Sequence, residues 1–347
     1  MPPEPPPAAL RLAIDEAALQ DNWRALDALS GKAAAGAAVK ADAYGLGVDV
    51  AVPALRDAGC RDFYVAHWVE AIPALGHVSA GSIGVLHGLL NAQEASFAKA
   101  IGVRPVINSL RQARLWLDAG GGPCDLMVDT GINRLGLPLT DLGNPLIAEL
   151  AVDVLLSHLA SADEDSPLNA VQLARWNDAR QAVAHQRASL ANSAGITLGA
   201  AFHGDLTRPG IALYGGIPCP ALQGRIRQVV RPEAALIQVR QLVAGDSVGY
   251  NATFTAPAPM RVGVISLGYA DGYLRAWSGK GSMLSGDRQL PVLGRVSMDM
   301  TVIDLSSAPD LAEGDWVAVD YDLPRAAAST GLSQYELLTT LGRRFPR

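Results

Sequence analysis

Apolar and polar positions follow two regimes along the chain. From about Ala13 to Tyr214, short runs that are apolar on both faces alternate with stretches of helical spacing. The first such stretch, IDEAALQDNWRALDAL, opens with Asp15 and places Ala18, Leu19, Trp23, Leu26 and Leu29 near a helical repeat. GAAVKADAYGLG follows as an apolar run ending in a glycine-rich loop. Then come DFYVA, WVEAIPAL, SIGVLHGL, RPVIN, LRQARLWLDAG, CDLMVDTG, NPLIAELA, VDVLLSHL, LNAVQLARWNDARQAVAHQ, ASLANSAG and TRPGIALYG. Strands apolar on both faces, each followed by a helix, predict a parallel sheet with helical crossovers. About eight such units in roughly 200 residues predict an α/β (β/α)8 TIM barrel, with an open doubly wound sheet as the alternative.

The second regime starts after GGIPCPALQGRIRQVVRPEAA, a Gly- and Pro-rich stretch that reads as a linker. ALIQVRQLVAGDSVGY, MRVGVISLGY, QLPVLGRV and MTVIDL are closely spaced strand patterns broken by turn signals at Ala244-Gly245-Asp246 and Ser285-Gly286-Asp287. They predict a mostly β C-terminal domain. A last helix, SQYELLTTLG, carries a capping box of Ser333 and Glu336. The expected organisation is a Pro-rich disordered lead-in over 1–10, a barrel over 11–225 and a β domain over 226–347.

Composition narrows the function classes. The chain has 347 residues and is 49% hydrophobic, long enough to bury a core without disulfide or metal staples. A net charge of -6 with no basic block disfavours nucleic acid as a partner, because neutralising phosphates takes clustered Lys and Arg. Cys60, Cys124 and Cys219 are too scattered for a disulfide framework or a zinc ribbon. The histidines lack metal-binding spacing, so no metal is expected. No apolar run reaches the ~18 residues of a membrane span, and MPPEPPPAAL lacks a signal peptide's charge pattern. A cytoplasmic protein is expected.

Several residues stand where a barrel keeps its chemistry, at the C-terminal ends of strands. Lys40 ends the first apolar run. It is either a desolvated, nucleophilic amine or an ammonium that snorkels to the rim. Arg134, in VDTGINRLG, is placed to bind a carboxylate or to pair with Asp129. His158 ends VDVLLSH and is an acid, base or orienting group, or a core histidine. Arg208 precedes Pro209-Gly210-Ile211, where glycine lets backbone amides approach a phosphate; a rim ion pair is the alternative for Arg208. Ser193, in ANSAG, is a further phosphate donor or an ordinary turn residue. In the β domain Tyr250, Tyr269 and Tyr273 are candidates for acid–base or gating roles, although strand tyrosines more often pack.

Taken in order, VKADAYGLG, DTGINRLG, LLSHLASADE, ANSAG, RPGIALYG, VGYNATF, GYADGY and GRVSMDM make the sequence resemble the alanine racemases. These are pyridoxal 5'-phosphate (PLP) enzymes of fold type III, with a barrel followed by a β domain. The resemblance runs from about residue 11 to the C-terminus. It implies that Lys40 holds the cofactor and is one of two bases, and that Tyr250 is the other, reaching the site of the partner subunit in a homodimer. It implies phosphate-binding roles for Tyr44, Ser193, Gly210 and Ile211. By the same likeness Arg208 faces the pyridine nitrogen, and His158 packs beside the ring and links Arg208 to the tyrosine base. Arg134 and the backbone N–H of Met298 meet the substrate carboxylate, and Tyr269 lines the entrance. Racemisation takes a proton from one face of the α-carbon and returns one to the other, which is why it needs two bases. Arginine is too basic to protonate the pyridine nitrogen, which weakens the electron sink.

Three positions depart from the family pattern. Many members have a lysine, often carbamylated, where this chain has Met127, so Arg134 needs another orienting group. Ser297 stands where cysteine is common. Arg343 stands where a tyrosine often touches the cofactor phosphate. The resemblance implies alanine as the small amino-acid substrate. A serine or broad-specificity racemase and a non-catalytic PLP-binding protein are the alternatives. A decarboxylase reading is weakened by the missing cysteine.

Overall fold

The computed structural model describes residues 6–342, 344 and 345. It divides into two compact units. Glu16–Arg227 forms one, and the residues on either side of it in sequence form the other. Strand β1 (Leu10–Ile14) therefore belongs with the C-terminal segment. This differs from the expected lead-in over 1–10 and barrel start at 11. Leu10 is buried, and β1 pairs antiparallel with a strand whose residues 230–234 lie opposite 14–10.

The larger unit is a barrel. Its first strand is broken into β2 (Ala34–Ala35) and β3 (Ala37–Ala38). The break falls at Gly36, where a Cβ would stand 2.9 Å from the carbonyl oxygen of Asp62. Next come β4 (Phe63–Val65), β5 (Ile83–Val85), β6 (Arg104–Ile107) and β7 (Pro123–Asp129), with β8 (Leu137–Pro138) as a side pairing on β7. Strands β9 (Ala151–Leu156) and β10 (Arg187–Ser189) extend the parallel path. β11 (Leu206–Thr207) closes the ring, with Leu206 opposite Ala34 of β2 and Asp205 N donating to Ala188 O of β10. The centre of β4, β5 and β6 is buried throughout, as strands covered on both faces require. The sequence expectation of a barrel rather than an open sheet is met.

The smaller unit is antiparallel. Strand β12 (Val230–Leu242) begins inside the stretch expected to be a linker, and Pro232 sits opposite Leu12 of β1. It is followed by the hairpin β13 (Ser247–Val248) and β14 (Phe254–Thr255), then β15 (Met260–Ile265), β16 (Ser282–Ser285), β17 (Arg288–Leu293), β18 (Thr301–Asp304) and β19 (Trp316–Val319). The spatial order is β1-β12-β15-β18-β17-β16-β19, and β19 also pairs with β12, so this sheet closes too. The last helix, Gln334–Thr339, has the expected capping box: Ser333 Oγ accepts from Glu336 N, and Glu336 Oε2 accepts from Ser333 N. No helix among the described residues is long and apolar enough to cross a membrane.

Candidate active site

Lys40 leaves the first barrel strand at the C-terminal rim, and the chain then turns against its natural hand. Ala41, Asp42, Ala43 and Tyr44 all have φ between 53° and 56°. Each L-residue in that region costs roughly 1–2 kcal/mol, so the turn persists only because neighbours over-determine it. Asp42 Oδ1 accepts from Val48 N at 2.9 Å on one side. On the other, Glu70 Oε1 accepts from Ala41 N at 2.8 Å. Burial lowers the pKa of Lys40. The Arg134 charge lowers it further, Glu70 raises it, and Arg208 lowers it.

The turn delivers Tyr44 to a polar cradle. Its ring stacks on Tyr214 with centroids 4.7 Å apart, and Tyr214 Oη donates to Ala38 O. Ser193 Oγ accepts from Gly210 N at 2.9 Å and from Ala212 N at 3.3 Å. A Cβ on Gly210 would stand 2.3 Å from Tyr44 Oη, so only glycine admits the hydroxyl there. The hydroxyls of Tyr44 and Ser193 thus meet beside Gly210 at the start of a short turn, a polar set suited to a phosphate.

Arg208 is buried, and its hydrogen bonds go to neutral groups. Nη1 donates to Ser189 O at 2.8 Å and to Ser189 Oγ, and Nη2 donates to Ser157 O. Burial lowers its pKa. The rim ion pair considered for it is not what holds it. His158 follows Ser157, and its pKa falls to about 3 through burial, then the charges of Arg208, Arg134 and Lys40. Its ring is therefore neutral at pH 7.

Asp129 does not pair with Arg134. Its Oδ1 accepts from the amides of Gly131, Ile132 and Asn133 and shapes the loop that presents Arg134, which is exposed. Met127 is buried in the apolar cluster of Tyr64, Val106, Val154, Leu156 and Leu206. It contributes no polar group to Arg134.

In the smaller unit, Tyr250 is 63% exposed on a turn where Asn251 and Ala252 also have positive φ. Tyr269 and Met298 come from two segments that are knit together: Tyr269 N donates to Ser297 O, and Ala270 N donates to Met298 O, both at 3.0 Å. Gly268 permits this, since a Cβ there would lie 2.3 Å from Met298 O. Arg344 ties the same two segments from the C-terminal side, through Asp271 and Asp299, each at 2.6 Å. The guanidinium of Arg275 sits 5.2 Å from the centroid of the Tyr269 ring. Tyr273 is buried and stacks on Trp277, as a packing residue does. Arg343 lies outside the described residues.

Glu70 is the residue that sequence reading missed. The signal was present as a polar residue, His67, three positions before a Glu and just ahead of an apolar helix. A cavity of about 830 Å³ lies elsewhere, at the N-terminal ends of β6, β7 and β9, lined by Arg104, Trp116, Pro123 and Asp153. It holds none of the residues singled out above. Among the described residues no group of three or more His, Cys, Asp or Glu side chains is arranged to hold a metal ion.

Comparison with known proteins decides the family. Residues 14–218 match the family model described as alanine racemase, N-terminal domain, and 229–347 match alanine racemase, C-terminal domain. The chain belongs to the alanine racemase family. An alanine racemase of Methylobacterium nodulans is 42% identical over 97% of this chain and 95% of its own length. One from Rhizobium meliloti is 41% identical over 98% and 96%. Among solved structures, the alanine racemase of Bartonella henselae with covalently bound pyridoxal phosphate superposes with a TM-score of 0.90 at 35% identity, covering 98% of this chain and 99% of that one.

Proposed function

We propose that this protein interconverts L- and D-alanine with PLP as cofactor, using two bases. The observation that carries the reading is the rim of the barrel. An amine with a lowered pKa stands on a strained turn that also delivers Tyr44 to a phosphate cradle. The residues fit the group: Tyr44, Ser193, Gly210 and Ile211 would hold its phosphate, Lys40 its aldehyde carbon, and Arg208 its ring nitrogen. When bound, PLP supplies the electron sink beside the substrate α-carbon.

The rest is the work of the protein's own groups. Lys40 Nζ, whose pKa is lowered by burial, takes or returns a proton on one face. Tyr250 Oη serves the opposite face, from the partner subunit of a homodimer; its 63% exposure within one chain suits a side chain offered outward. Arg134 and the Met298 amide hold the substrate carboxylate, and Tyr269 narrows the entrance. Arg208 keeps its own protons, since even a lowered arginine pKa leaves it a cation and a donor. His158, neutral, would lie beside the ring without adding charge.

The direct test is a D-amino-acid oxidase assay of the purified chain supplied with PLP and either L-alanine or L-serine. D-alanine should form fastest, and Lys40→Ala should abolish it. A chain that binds PLP but forms neither D-amino acid would overturn the reading in favour of a cofactor carrier.

A further inference from the structure

The left-handed turn after Lys40 is held on its N-terminal side by a side chain from the next strand's loop. Glu70 stands at the third position of the helix Trp68–Leu75. One carboxylate oxygen accepts from Ala41 N at 2.8 Å. The other accepts from Ala66 N at 2.7 Å and His67 N at 3.2 Å, just after β4. A single carboxylate thus joins the residue after Lys40 to the end of the neighbouring barrel strand.

We propose that Glu70 is a positioning residue for Lys40, bolting the strained turn to β4 and so fixing where the amine stands in the barrel mouth. The proposal rests on reading Lys40 as the amine that takes the cofactor. The geometry favours a carboxylate over any other side chain. Three backbone N–H groups from two segments need acceptors on both oxygens, and an amide offers one acceptor and two donors. Charge-assisted bonds to amides are about twice as strong as neutral ones, which suits a turn of four left-handed residues. Glu70 is also the one nearby acid among the groups that shift Lys40; Arg134 and Arg208 act in the opposite sense. His67, on the loop that Glu70 fixes, packs edge to face on His87 after β5, with centroids 4.2 Å apart.

The test uses the full-length protein and two ligands with the same ring and phosphate. Pyridoxal 5'-phosphate has the aldehyde that Lys40 attacks, and pyridoxine 5'-phosphate has an alcohol in its place. Glu70→Gln removes one acceptor oxygen, and Glu70→Asp keeps the charge but shortens the reach. Both variants should take up pyridoxal phosphate ~10-fold or more slowly and lose ~10-fold or more in kcat, with KM for alanine within about 3-fold, since misplacing a reacting group by an ångström costs up to ~100-fold. Their affinity for pyridoxine phosphate should fall by about 3-fold at most, because Tyr44, at the far end of the turn, is also held by its stack on Tyr214, and Asp42 before it by Val48 N. Equal losses for both phosphates, or no loss for either, would overturn the proposal. If Glu70→Gln fails to fold, Glu70→Asp decides alone. Lys40→Ala is the separate control: uptake of pyridoxal phosphate as fast as in the parent would sink the reading of Lys40 itself, whatever the Glu70 variants do.

Discussion

A histidine with a pKa near 3 carries no proton at pH 7, and that bears on both reaction and stability. His158 is neutral when folded and titrates near 6.5 when unfolded, so its contribution is present above about pH 6.5 and is lost as pH falls towards 3. The drop in denaturation midpoint from pH 7 to pH 4 should therefore be smaller in His158→Phe than in the parent; an equal drop would count against the depressed pKa. Gly210 yields a second expectation at this scale. Gly210→Ala puts a methyl 2.3 Å from Tyr44 Oη, and PLP affinity by equilibrium dialysis should fall about 10-fold or more. These residues were legible because motif order along the chain marks them. Glu70 was not, because its partners are backbone amides, one of them on a segment 29 residues away. Pairing Arg134 with Asp129 by proximity also misleads, since the three amides of 131–133 occupy the carboxylate first.

At the scale of elements, the alternation of apolar runs and helices announced the barrel units, but not how they are tied at the N-terminal end of the strands. There Arg104 of β6 faces Asp125, Asp153 and Asp62, and Arg187 of β10 binds Asp62 and Asp153. Asp125 is fully buried, and burial pushes its pKa up to about 6. Breaking a buried ion network by removing one partner typically costs about 3–5 kcal/mol, because the remaining charges stay buried and uncompensated. Arg104→Leu should lose about that much in urea denaturation; a loss under about 1 kcal/mol would show that the network is not what closes the barrel floor. Periodicity carries no information on such a network, as charged residues inside strands only interrupt the apolar pattern. The same limit hid the split of the first strand at Gly36 and the start of β12 at Val230, where the Pro of RPEAA resembles a linker.

For the molecule as a whole, the two units carry complementary halves of the proposed chemistry, with Lys40 in one and Tyr250 in the other. If Tyr250 serves a neighbour's site, a mixture of Lys40→Ala and Tyr250→Phe chains should regain activity, with one competent site per mixed dimer. Inactivity despite subunit exchange proven by mass spectrometry would sink the shared site. Spacing puts a change of regime near residue 226, and the smaller unit resumes at Gln228. The allegiance of residues 10–14 was not, since a five-residue strand before a helix looks like the start of the barrel it precedes.

That strand bears on how the protein is made. Arg11 of β1 pairs with Glu233, 222 residues further on, so β1 is synthesised long before its neighbour. The barrel can condense while β1 waits as an unpaired edge, open to wrong partners in the interval. In the finished unit Ala8, Ala9 and Leu10 line one small cavity with Arg344, so the two ends of the described chain are neighbours. A circularly permuted chain that joins these ends and opens in a barrel surface loop would cut the separation of Arg11 and Glu233 from 222 residues to roughly 125. Nearly halving that separation should speed the pairing of β1 with β12.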